Sequence, residues 1–215
     1  MEEPLSNDEK ETGRVEAFSD GVIAIAVTLL ILEIKVPKVS EMDSVGLGAR
    51  LLGLWPSFLA FALSFGTILV MWVNHHRIFR LVRTTDHPFL YWNGFLLLTI
   101  TFVPFPTAVL AEHLACSEAT TAAAFYAGTM IVIAMAFNGV WGHLRRHPCL
   151  LLSSSNPDEI EAITRQYRFG PLLYLVAFGV AFVSVAASIA SCLALALFFA
   201  FAGRPTCGPY AKNKS

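Results

Sequence analysis

Charge is scarce in this chain. Only 14% of its 215 residues are Asp, Glu, Lys or Arg, against about 25% in a soluble domain. Cysteine is scarce as well. Cys116, Cys149, Cys192 and Cys207 are far apart and form no CxxC pair, which argues against a disulfide framework or a zinc site. The formal net charge is −1 and no basic face is evident, so neither a nucleic-acid partner nor a soluble enzyme is expected. The polarity of a disordered chain is absent too. Residues 1–13 have neither the basic n-region nor the apolar h-region of a signal peptide and read as a short cytoplasmic tail. What is plentiful is apolar surface: 55% of the residues are hydrophobic and the mean hydropathy is +0.60. The class this implies is an all-α integral membrane protein.

A bilayer core about 30 Å thick takes roughly 20 apolar residues per helix. Four such stretches are predicted: Val15 to Val36, ending at Pro37; Leu54 to Phe79, with Pro56 in its first turn; Phe89 to Leu110, kinked or ended by Pro104 and Pro106; and Thr120 to Leu144. The uncharged run Pro171 to Ala202 has 32 residues. A single helix of that length would reach about 48 Å, too long for one crossing. Two short helices with a turn near Ala186 to Ser188 fit better, giving six transmembrane helices. Between the fourth and fifth, Asn156-Pro157-Asp158-Glu159 has the form of a helix start and predicts a short amphipathic helix.

The few charges are unevenly placed. With both termini inside, the inner segments hold Lys10, Arg14, Arg77, Arg80, Arg83, Arg145, Arg146, Arg165, Arg168, Arg204, Lys212 and Lys214. Only Lys35, Lys38 and Arg50 remain outside. This is the positive-inside bias for an even number of crossings.

The first helix carries the unusual pattern. It reads RVEAFSDGVIAIAVTLLILEIKVP from Arg14, with Asp20 about one turn into the apolar region and Glu33 at its far end. An ionisable group at membrane depth is a functional candidate by default and needs a partner. At 100° per residue, Ile25, Leu29 and Leu32 share one stripe with Thr28 beside it, while Asp20 lies about 140° away. The stripe fits plain packing, lipid contact or the wall of a pathway. Asp20 fits a hydrogen-bond hub or an ion ligand. The second helix ends in MWVNHHRIF at the same expected depth, so Ser19 and Asp20 can meet the Trp72 N–H, Asn74 or a histidine. His75 and His76 lack enough further ligands for a metal site. Glu112 and His113 are expected in a solvated outer loop.

Arg14-x-x-x-Phe18-Ser19-Asp20 followed by GVIAIAVTLLILEI resembles the signature of the transmembrane protein 175 family. The WPSFLAFALSF…MWVNHHRIF and FVPFPTAVL segments resemble its prokaryotic members. The resemblance implies a cation channel that favours potassium without a TVGYG filter, and no such loop occurs here. It further implies a homotetramer of single six-helix repeats, with four first helices around a central pore. The constriction falls on Ile25, Leu29 and Leu32, and Thr28 on a polar position linked to selectivity. Arg14, Ser19 and Asp20 are implied to hold helices together, with Trp72, Asn74 and His75 as partners. Ala24 stands where some members carry a serine beside the constriction, which removes a hydroxyl.

The resulting expectation is a multi-pass protein of the cell membrane. Residues 14–203 form the channel domain and 204–215 a cytoplasmic tail. Glu33 is the charge at the pore mouth. The partners are K+, other monovalent cations and membrane lipids, with no resident cofactor. The rival reading is a proton-coupled secondary transporter working through Asp20. Against it stand the lack of an internal repeat and the placement of Asp20 near a helix end.

Overall fold

The computed structural model describes residues 7–37 and 46–201, and these are almost entirely helical. The expected C-terminal tail and the charges Lys38, Arg204, Lys212 and Lys214 lie outside the described residues.

Helix α1 (Asn7–Leu29) starts earlier than the expected Val15 and continues as a 3-10 turn over Leu30–Glu33. Part of the expected tail is therefore helix. The reason is docking: Thr12 is buried and its Oγ1 donates to the carbonyl of Arg83 over 3.3 Å. The chain is already extended at Ile34 (φ −85°, ψ 97°). That is short of the expected Val36, which precedes Pro37 and is disfavoured in a helix.

Helix α2 (Leu47–Gly53), a short element with no sequence expectation, leads into α3 (Trp55–Phe79). The chain then turns through Arg80–Thr85 into α4 (His87–Thr101). Asp86 caps α4 by accepting from the Phe89 N–H at 2.8 Å. The third expected helix breaks, as its prolines require, into α4 and α5 (Pro104–His113). Helix α6 (Ala119–Arg146) is the longest. Helix α7 (Pro157–Arg168) is the expected amphipathic element. Asn156 accepts from the Asp158 N–H at 2.9 Å, with acids in the first turn and Arg165 and Arg168 in the last, complementing the helix dipole.

The uncharged C-terminal run splits into α8 (Gly170–Ala181) and α9 (Val185–Phe201). Its turn falls at Phe182–Ser184, not at Ala186–Ser188. Ser184 explains the shift, because its Oγ accepts from the Ala187 N–H at 3.3 Å and so starts α9. Ser188 lies inside α9 instead, and its hydroxyl donates to Ala177 O across the hairpin at 2.8 Å.

Among the described residues four segments are long and apolar enough to cross a membrane: Lys10–Glu33, Trp55–Phe79, His87–His113 and Ala119–Arg146. Helices α8 and α9 are shorter. Helix α6 sits at the centre and packs on α4, α5, α8 and α9. Its buried face is rich in small residues, including Ala122, Ala123, Ala127 and Ala136, which lets neighbours approach closely where lipid supplies no hydrophobic drive. A β-carbon on Gly139 would lie 2.3 Å from the Trp92 ring, so glycine is what lets α4 seat its indole there. Helix α1 lies at the edge, against α3, α4 and α5.

Candidate pore helix and its polar anchor

Helix α1 has two unlike faces. Ser19, Ile23, Ala26 and Leu30 are buried at helical spacing. On the opposite flank Ile25, Leu29 and Leu32 are 61%, 42% and 69% exposed, with Phe18 below them. Thr28 sits on the exposed side, and its hydroxyl donates back to Ile25 O at 2.9 Å. That leaves the oxygen lone pairs of Thr28 free to accept.

The buried face is fixed by a chain of polar contacts whose directions can be worked out atom by atom. Ser19 Oγ lies 2.8 Å from Val15 O. A carbonyl only accepts, so the Ser19 hydroxyl donates there. Its lone pairs then accept from Asn93 Nδ2 at 2.9 Å. This turns Asn93 Oδ1 toward His75 Nε2, 3.0 Å away. An amide oxygen also only accepts, so His75 carries its proton on Nε2. Its Nδ1 holds the lone pair and is buried without a hydrogen-bond partner among the described residues. The chain joins α1, α4 and α3 through side chains that are all buried.

A second seam runs beside it. Trp72 Nε1 donates to Asp20 Oδ1 at 2.9 Å. One turn along both helices, His76 Nδ1 lies 2.9 Å from Glu16 Oε1. The Trp72 and His76 rings stack with centroids 6.1 Å apart. Glu16 and Asp20 on α1 thus face His76 and Trp72 on α3 as two rungs of an antiparallel ladder.

Ser19, Asp20, Trp72 and His75 accordingly meet at one three-helix junction. Asn74 points elsewhere. Its Nδ2 donates to Phe199 O at 3.3 Å, and its Oδ1 accepts from Gln166 Nε2 and Tyr167 OH, each at 3.4 Å. It binds α3 to α7 and α9, and adjacency in MWVNHHRIF hides that divergence because neighbouring helical residues face 100° apart. Arg14 is exposed and has no hydrogen bond or ion pair among the described residues.

Three participants had no sequence expectation: Asn93, Glu16 and the His76 contact. An isolated amide inside the apolar YWNGFLLL run was the available signal for Asn93. At the other end of α1, Lys35 pairs with Glu112, which was expected merely to be solvated. The hydrogen bond to Glu112, then its charge, raise the pKa of exposed Lys35, with a smaller push from half-buried Glu33.

An apolar helical bundle with ionisable groups paired inside it defines an integral membrane protein. A family model described as the endosomal/lysosomal potassium channel TMEM175 matches residues 14–104. A potassium channel of Chamaesiphon minutus is 58% identical over 193 residues, covering 90% of this chain and 95% of that protein. A potassium channel of Streptomyces collinus is 43% identical over 194 residues, covering 89% and 92% respectively. The crystal structure of a lysosomal potassium-selective channel TMEM175 homologue from Chamaesiphon minutus superposes with a TM-score of 0.82 at 56% identity, over 91% of this chain and all of the other. The human endosomal/lysosomal proton channel TMEM175 is 47% identical over 89 residues, covering 39% of this chain and 17% of the human protein. The chain belongs to the TMEM175 family. Its relatives are ion channels, not enzymes.

Proposed function

We propose that this chain forms a potassium-favouring cation channel of the cell membrane, conducting passively through a pore lined by α1. The observation that carries the reading is the division of α1 into a buried, hydrogen-bonded flank and a bare apolar flank bearing Ile25, Leu29 and Leu32. The potassium-channel names of the long-range relatives from Chamaesiphon minutus and Streptomyces collinus support it.

In this reading four copies assemble around an axis, each crossing the membrane six times with both termini in the cytoplasm. The short helices α8 and α9 form the last two crossings, which a packed bundle tolerates. Rings of Ile25, Leu29 and Leu32 make a hydrophobic constriction that gates by dewetting. Thr28, its proton committed to Ile25 O, offers oxygen lone pairs to a partly dehydrated cation. Ala24 adds no hydroxyl, so selectivity rests on Thr28, backbone oxygens and pore radius. Glu33 attracts cations at the outer mouth. The permeant species are K+ and other monovalent cations, and no resident cofactor takes part. Asp20 holds Trp72, and Ser19, Asn74 and His75 serve the bundle rather than ions. The engagement of Asp20 counts against a proton-coupled transporter.

Planar-bilayer recording of the purified protein in potassium tests the reading. Stepwise unitary currents are expected, and Ile25→Asn, which wets the constriction, raises them. Saturable proton-linked flux without unitary current would overturn it. Unchanged conduction in Ile25→Asn would remove that residue from the pore.

A further inference from the structure

The end of the bundle where α1 begins carries a small junction between two connecting segments, one of which includes a 3-10 turn over Pro148–Leu150. The turn after α3 and the turn after α6 meet as an antiparallel bridge between Val82 and Leu151. The Arg83 N–H donates to Leu150 O at 2.8 Å, and the Leu152 N–H to Leu81 O at 2.9 Å. Arg83 Nη2 reaches across to Cys149 O at 3.1 Å. Leu81, Val82, Leu150 and Leu151 are buried behind it. Arg80 and Arg83 flank the Leu81–Val82 side of the bridge in sequence, Arg145 and Arg146 end α6 just before its other side, and all four are exposed.

The charge balance of this junction differs from that of its surroundings. Arg77 pairs with Glu159, Arg165 with Glu161, His76 with Glu16 and His143 with Asp86. Among the described residues the four junction arginines have no carboxylate partner. Arg80 directly follows the Trp55–Phe79 span and Arg146 closes the Ala119–Arg146 span, so these side chains emerge where a bilayer presents its headgroups. Guanidinium forks match phosphate oxygens in shape and charge. The junction also grips α1 directly, because Arg83 O accepts the Thr12 hydroxyl.

We propose that this junction is a binding site for the headgroup of an anionic phospholipid, and that occupancy acts on α1 through the Thr12 to Arg83 contact. The binding half stands on the junction alone. The second half rests on α1 being the pore helix. A phosphodiester bridging Arg80 and Arg83 at the turn after α3 to Arg145 and Arg146 at the end of α6 stiffens the bridge and holds the start of α1 in place.

The test uses the full-length protein in vesicles of phosphatidylcholine alone and of phosphatidylcholine mixed with phosphatidylglycerol. Lipid association is read by brominated-lipid quenching of tryptophan, and potassium flux is read in the same vesicles. Phosphatidylglycerol is expected to associate preferentially, with a preference that fades at high salt. Each arginine removed should lower that preference about fivefold, so Arg80→Gln/Arg146→Gln should nearly abolish it while the melting temperature stays unchanged. Equal association of both lipids with the native protein, or full preference in the double variant, would overturn the site. Thr12→Val is expected to keep the lipid preference and lose the phosphatidylglycerol dependence of flux. Retained flux dependence in that variant would overturn the link to α1. Preferential association with no flux in any vesicle leaves the headgroup site supported and refutes the pore reading instead.

Discussion

Asn93 donates to Ser19 from one end of its amide and accepts from His75 at the other, at 2.9 Å and 3.0 Å. One side chain on α4 thereby fixes a hydroxyl on α1 and a ring on α3. Replacing it with Leu leaves the His75 N–H and the Ser19 lone pairs unmatched in a buried site. A buried polar group left without its partner costs about 1–3 kcal/mol, so Asn93→Leu should destabilise by about 2–4 kcal/mol. Ser19→Ala, which strands only the amide of Asn93, should cost less. Thermal melting in detergent followed by tryptophan fluorescence ranks the two, and a reversed order would contradict the chain of contacts.

Asp20 and Trp72 form a half-exposed rung, so its loss should be milder. Trp72→Phe removes the donor and should cost about 1 kcal/mol. Asp20→Asn keeps an accepting oxygen and should be nearly silent. Asp20→Ala should impair assembly, read as a shift in size-exclusion elution. A well-assembled Asp20→Ala protein with normal current would show that the rung is dispensable.

Gly139→Ala tests the seating of α4 on α6. The new methyl would fall within 2.3 Å of the Trp92 ring, so the indole must swing outward. Overpacking of this kind typically costs about 1–3 kcal/mol. The melting temperature should fall and the Trp92 contribution to the emission spectrum should change. A changed emission spectrum with an unchanged melting temperature would show that the indole has a free alternative position.

Asp86 gives an acid-sensitive contribution to stability. Desolvation works against its charge, but the Phe89 N–H and His143 outweigh it and hold its pKa below the usual carboxylate value. A carboxylate with a depressed folded pKa stabilises fully above its unfolded pKa, and the benefit fades as pH falls through the folded one. The melting temperature should therefore drop on acidification, and Asp86→Asn should flatten that limb while retaining the α4 cap. Parallel acid limbs in the two proteins would assign the effect elsewhere.

Much of this architecture was readable from composition and proline placement. The boundaries of α3, α6 and α7 follow from apolar runs and caps that act locally, so Pro56 and Asn156 announce them. Partner choice was less readable. Trp72 and Asp20 were within reach of a depth argument, because both lie near the same end of antiparallel helices. Asn74 was not, since depth leaves the facing direction open and its partners Phe199, Gln166 and Tyr167 come from distant sequence. Asn93 escaped because a single amide in an apolar helix announces a partner without naming it. The α8–α9 turn was misplaced because alanine-rich sequence is indifferent to where it bends, and the hydroxyl of Ser184 decides.

The 3-10 turn that ends α1 changes how its exposed residues line up. In an α-helix Leu32 would stand about 60° around the axis from Leu29, whereas a 3-10 turn places residues three apart directly one above the other. The tighter winding also adds about 0.5 Å of length per residue. Rewinding Leu30–Glu33 as α-helix would therefore screw Leu32 sideways by a sixth of a revolution and draw it inward along the axis by about 1.5 Å. The last turn of α1 is a thread whose pitch alone, with no tilt of the helix, sets whether two neighbouring leucines stand in file or out of line.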